Sequence, residues 1–157
     1  MTPKQRAIVL ALSTAIAIPM EGTRLWAYRD VTGLPTICMG STKGVKMGDF
    51  RTLPECKALL TKEMNDVISA VDTCRPGLPI PVLAAFSDAA YNLGDKVACD
   101  SSRSTAARFL AAGKFREACE QLPRWSNAIV GGVAVSLPGL TTRRNMEKDL
   151  CLTYLTP

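Results

Sequence analysis

Eight residues separate Glu21 from Asp30, and five separate Asp30 from Thr36. Two carboxyl groups and a hydroxyl around one opening can do acid-base chemistry, one carboxyl holding a proton to give and the other free to accept one. Glu21 follows Ala17-Ile18-Pro19-Met20, at the C-terminal end of an apolar helix. Desolvation and the negative end of the helix dipole both favour the protonated carboxyl there, the form a general acid needs near neutral pH. Asp30 ends a short strand entering a turn at Gly33, and Thr36 begins the returning strand, so both can reach one cleft. Singly, each reads more simply as a solvated or structural residue; the trio is the candidate site.

The rest of the composition removes competitors. The 157 residues include no histidine, which excludes Ser-His and Cys-His nucleophile pairs, a histidine base and His-ligated zinc. The six cysteines (38, 56, 74, 99, 119 and 151) contain no Cys-x-x-Cys. No metal site and no cofactor are therefore expected, and the cysteines read as three disulfides in an oxidising compartment. The competing reading is six thiols in a cytosolic core. Lys and Arg outnumber Asp and Glu by 19 to 14 and the pI is near 9.0. That balance suits an anionic partner: cell wall, membrane surface or nucleic acid. The basic residues are scattered and form no helix-turn-helix signature, so a nucleic-acid partner is the weakest of the three.

The elements that must position the trio follow from pattern. Thr2-Pro3-Lys4-Gln5 is a capping box with proline in the first turn, opening a helix to about Ile18. Lys4 and Arg6 precede an apolar run from Ala7 to Ile18, the parts of a secretory signal. The run is shorter than the roughly 20 residues that span a bilayer comfortably. A helix apolar on every side is buried or in a membrane; at a chain terminus the membrane is favoured over an ordinary core helix. The chain thus divides into residues 1–20, an apolar helix, and 21–157, one globular domain.

Beyond it, glycines 22, 33, 40, 44 and 48 punctuate Leu25–Asp30, Thr36–Met39 and Val45–Met47, which predicts a small antiparallel sheet. Thr52-Leu53-Pro54-Glu55 caps a second helix, ended by the Pro-rich run from Arg75 to Pro81. Further helices are predicted near 82–93, 104–112, 114–122 and 141–154, with an irregular or hairpin segment between Trp125 and Leu140. The fold class is α+β: mostly helical, with a small N-terminal antiparallel sheet.

The run from Glu21 through Trp26, Asp30, Gly33 and Thr36-Ile37 to Gly40 closely resembles the catalytic segment of phage-type lysozymes. The likeness extends through Glu55-Cys56-Lys57-Ala58-Leu59-Leu60, Tyr91-Asn92-Leu93-Gly94, Pro123-Arg124-Trp125 and Pro138-Gly139-Leu140 with Arg143-Arg144. The resemblance implies a lysozyme-like fold and an endolysin that hydrolyses the β-1,4 bond between N-acetylmuramic acid and N-acetylglucosamine in bacterial peptidoglycan. Glu21 would be the acid, and Asp30 with Thr36 would position and activate water. The family architecture also brings an arginine from the last helix near the acid, and Arg144 is the better match. Asn92 and Trp125 are expected along the sugar cleft, although a core tryptophan is an equal reading of Trp125.

Matched to the family fold, the cysteines pair as Cys38–Cys56, Cys74–Cys99 and Cys119–Cys151. Relatives with a signal-arrest-release helix imply export of a monomer to the periplasm, first tethered to the inner membrane by its N-terminal helix. Ala15-Ile16-Ala17 resembles a signal-peptidase site, but cleavage there would remove the helix that positions the acid. One position departs: Ser41 stands where many relatives carry a histidine, which leaves a catalytically weakened wall-binding or regulatory relative as the alternative.

Overall fold

The computed structural model describes residues 1–155. Helix α1 (Pro3–Glu21) begins at the capping box read from the sequence, with Thr2 and Gln5 satisfying each other's backbone amides. It runs through Pro19 rather than stopping at Ile18. Proline has no N–H to donate and crowds the preceding turn, yet Met20 and Glu21 remain helical beyond it. Val9, Ser13, Ile16 and Ala17 face inward, while Ile8 and Ile18 stay exposed. The Ser13 hydroxyl, fully buried, donates to Val9 O and across to Ala84 O at 3.0 Å. Arg6 donates to Asn65 and Ser69, fixing the other end of the helix.

Strands β1 (Arg24–Arg29) and β2 (Pro35–Cys38) pair antiparallel, with Tyr28 opposite Thr36. The predicted third strand at Val45–Met47 does not form. Gly44 and Gly48 take positive φ and turn the chain around it. Contact with β1 comes later instead, through Ala27 N to Asp49 O, Arg51 N to Leu25 O and a bridge between Trp26 and Phe50.

Helix α2 (Leu53–Cys74) has the predicted capping box at Thr52 and Glu55. Helix α3 (Ile80–Leu93) is the central element: every residue from Val82 to Ala90 is buried, and α1, α2 and the last helix pack around it. Such all-round burial explains its run of small and apolar residues. A single turn α4 (Lys96–Cys99), unforeseen from the sequence, leads to α5 (Thr105–Ala111) and α6 (Phe115–Gln121). A 3-10 turn (Leu122–Trp125) then opens into a hairpin of β3 (Asn127–Val130) and β4 (Val133–Ser136). Helix α7 (Pro138–Leu152) closes the fold, starting three residues earlier than expected.

All six cysteines are paired as expected: Cys38–Cys56 ties β2 to α2, Cys74–Cys99 ties α2 to α4, and Cys119–Cys151 ties α6 to α7. Their Cα separations of 5.0 to 5.6 Å are ordinary for the bond. Among the described residues no helix is long and apolar enough to cross a membrane, and no cluster of metal-ligating side chains occurs.

Candidate active site

Two adjoining hollows lie where α1 ends, the β1–β2 hairpin turns and α7 begins. One of about 420 Å³ is lined by Glu21, Tyr28, Asp30, Asn92, Leu140 and Arg143, among others. The second, of about 370 Å³, shares Glu21, Tyr28, Asp30 and Asn92 and adds Thr36, Gly40 and Tyr91. The shared residues form the waist of one cleft, so the candidate trio does meet at a single opening.

The acid candidate arrives from the last residue of α1. Its carboxyl rests against Gly40 on one side, where a Cβ would lie 2.7 Å from Oε2. On the other side Oε1 accepts a hydrogen bond from Nη1 of Arg143. The side chain is 18% exposed, open enough to meet a substrate yet largely held by protein.

Asp30 is built differently. Its Oδ1 accepts from Thr32 N at 2.8 Å, Thr32 Oγ1 at 2.7 Å and Leu34 N at 3.0 Å. Slight desolvation pushes its pKa up, but the hydrogen bonds from Thr32, Leu34 and Gly33 outweigh it and hold the carboxyl below its ordinary value. No protein donor within bonding distance engages Oδ2 among the described residues, which leaves it for a water or a sugar. Thr36 is nearly buried on β2, and its hydroxyl donates to Leu34 O at 3.0 Å. The residue borders the second hollow.

Tyr28 frames the waist, with the Arg24 guanidinium 4.4 Å from its ring centroid. Burial raises its pKa against the opposing charge of Arg24, with Glu21 and Asp30 adding to the rise. Ser41, at the position where the family histidine was expected, donates to Glu63 Oε2 at 2.7 Å. The Tyr91 hydroxyl bridges Glu63, at 3.1 Å, and Met39 O. A neutral hydroxyl thus ties the segment after β2 to α2 and α3. Burial, then the charge of Glu63, pushes Tyr91 well above the ordinary phenol range.

Two expectations are corrected. The arginine on Glu21 is Arg143, not Arg144. Arg144 is fully buried and pairs with Glu147. Arg143 lines the cleft with Gly139 and Leu140, whereas Arg144 lies beside Glu147 in the core. Helical spacing does not separate the two, because Leu140 stands three residues before Arg143 and four before Arg144. Trp125 is the second correction: it packs against the core and lines a separate hollow with Arg103 and Gln121. Asn92 lines both hollows.

Sequence reasoning missed Asp88. This fully buried carboxylate accepts from both Nε and Nη2 of Arg143, each at 2.9 Å. Burial alone would pull the Arg143 pKa down, but Asp88 and then Glu21 more than reverse it. An aspartate amid the apolar run of α3 was the sequence signal, since an unpaired carboxylate is not buried.

The family model described as Phage lysozyme matches residues 19–147. The chain belongs to the phage lysozyme family. A SAR-endolysin of Pseudomonas phage phiKMV is 35% identical over 148 residues, covering 94% of this chain and 90% of that protein. The SAR-endolysin of Bacteriophage PS119 is 37% identical over 135 residues, 85% of this chain and 77% of its own. Among solved structures, the active form of P1 phage endolysin Lyz has a TM-score of 0.77 at 25% identity, covering 92% of this chain and 85% of that one. An endolysin from Escherichia coli O157:H7 phage FAHEc1 has a TM-score of 0.73 at 27% identity, covering 99% and 95%. As a phage lysozyme the chain is a peptidoglycan-hydrolysing muramidase with the mostly helical fold of the endolysins. The weakened, non-catalytic alternative is not favoured.

Proposed function

We propose that this phage lysozyme cleaves wall glycan by an inverting mechanism, with Glu21 as general acid and Asp30 with Thr36 as the water-activating pair. The observation that carries it is the convergence of Glu21, Asp30 and Thr36 on one cleft. Glu21 gives its proton to the glycosidic oxygen between N-acetylmuramic acid and N-acetylglucosamine. Asp30, kept ionised by its hydrogen bonds, takes a proton from the water as that water attacks the anomeric carbon from the opposite face. The Thr36 hydroxyl orients that water, and the Asn92 amide offers a polar contact to the sugar. Product analysis by NMR during wall digestion tests this: inversion gives the α-anomer first. An initial β-anomer would replace the mechanism by a double displacement.

The place of action is proposed on the same footing. Residues 1–20 carry the cationic start and apolar run of an export signal, and α1 keeps apolar Ile8 and Ile18 on its outer surface. The relatives named SAR-endolysin support transit through the inner membrane into the periplasm with α1 retained; the released chain is proposed to act as a monomer. Mass spectrometry of protein from an exporting host should find Thr2 or Met1 at its start. A fully active chain beginning at Ile18 would overturn retention.

A further inference from the structure

Arg143 is a cation with almost no contact with water, 3% exposed at its side chain, and it stands directly against the acid. Left alone it would oppose the task of Glu21, because a guanidinium at bonding distance stabilises the carboxylate over the carboxylic acid. The cation is not left alone. Asp88 takes its Nε and Nη2 edge in a two-point pair, so that a single donor, Nη1, points at Glu21. The fork that would otherwise grip a carboxylate at two points is already used.

We propose that Asp88 is a positioning residue for catalysis: by occupying and neutralising Arg143 it lets Glu21 keep the proton it must deliver. This rests on Glu21 being the acid. The remaining groups around Glu21 do not do the same work. Tyr28 and Asp30 face it from the β hairpin and Tyr91 from α3, and none of them binds Arg143. Behind Tyr91 stands Glu63 on α2. On α7, Glu147 lies 3.6 Å from Arg143 Nε but is engaged by Arg144. Asp88 alone meets Arg143 with two oxygens.

The experiment is the pH profile of wall clearing at fixed ionic strength. A general acid works while protonated, so activity falls on the alkaline side as it ionises. Asp88→Asn keeps the shape but leaves Arg143 an unneutralised cation, so the alkaline limb should move toward acid by about one pH unit. Arg143→Gln leaves Asp88 as an unbalanced anion and should move the limb the opposite way. The double variant Asp88→Asn/Arg143→Gln loses both charges together and should fall between the two. If Asp88→Asn alone does not fold, the double variant read against Arg143→Gln still decides: its limb should lie on the acid side of that of Arg143→Gln, and coinciding limbs overturn the proposal.

A mere brace would lower activity evenly at every pH, and such an unmoved limb in Asp88→Asn overturns the proposal. So does a double variant displaced as far as Asp88→Asn. Glu21→Gln separates the two levels: if it clears walls at the wild-type rate, the identity of the acid is wrong, whatever Asp88 does.

Discussion

The Glu21 carboxyl lies on the bare backbone of Gly40, so close that a methyl group there would collide with Oε2 at 2.7 Å. Gly40 also holds φ at +87°, a conformation costing other residues about 1–3 kcal/mol. Gly40→Ala therefore faces strain and displaces the acid together. Wall clearing should fall more than tenfold while the protein still melts cooperatively at a lower temperature. Full activity in a folded Gly40→Ala protein would show that the acid tolerates being moved.

Glu21→Gln keeps size and hydrogen-bonding reach but has no acidic proton. General acid assistance is worth about 10² to 10⁴ in rate, and clearing should drop by that order. Arg143 retains its pair with Asp88, so the thermal melt should stay cooperative and near wild type. Parallel loss of fold and activity would return Glu21 to a structural role.

Asp30 gives a prediction for the acid side. Its pKa is held down in the folded enzyme by hydrogen bonds, so the base stays ionised at lower pH than an ordinary aspartate. The associated stability is present above the unfolded pKa and is lost as pH falls through the folded one. Thr32→Val removes the side-chain bond to Oδ1. The acid limb of activity should then move to higher pH by a fraction of a unit. A limb that stays in place would mean Asp30 is not the base.

Arg144 and Glu147 answer to stability rather than chemistry. Burial penalises the charge on both, pulling Arg144 down and pushing Glu147 up. Arg144→Met leaves Glu147, pushed up to about 10 by burial, without its partner in the core, and an unsatisfied buried polar group costs about 1–3 kcal/mol. Denaturant unfolding should show that loss, while the folded fraction keeps the wild-type pH profile. A shifted profile would give Arg144 a place at the site.

The Cys119–Cys151 bond closes a separation of 32 residues, for which chain entropy gives about 3–4 kcal/mol. Replacing both cysteines by alanine should lower stability by that order. Helix α7 also carries Arg143, so clearing should fall at temperatures where the rest of the fold survives. A melt unchanged by the double replacement would show α7 docked by packing alone.

Local chemistry explains what was readable in advance. The capping boxes at Thr2 and Thr52 involve partners three residues apart, and Glu21, Asp30 and Thr36 lie within one short stretch. Asp88 and Arg143, by contrast, meet across 55 positions, and nothing local in either segment announces the other. The choice of Arg144 failed for a related reason: adjacent helix residues point about 100° apart, and only the faces of α7 settle which one sees the cleft. The missing third strand shows the positive-φ turns at Gly44 and Gly48 overriding the alternating Val45-Lys46-Met47 between them. Trp125 was open to two readings because an aromatic suits a core and a sugar site equally well.

Ser41 bears on more than local packing. Histidine is the one side chain whose ordinary ionisation falls between pH 5 and 8, and this chain has none. Ser41 has no charge to gain there, and Tyr91 beside it is pushed still further from ionising. Mild acidification, a cue that many exported proteins use to change shape, finds no imidazole to receive it.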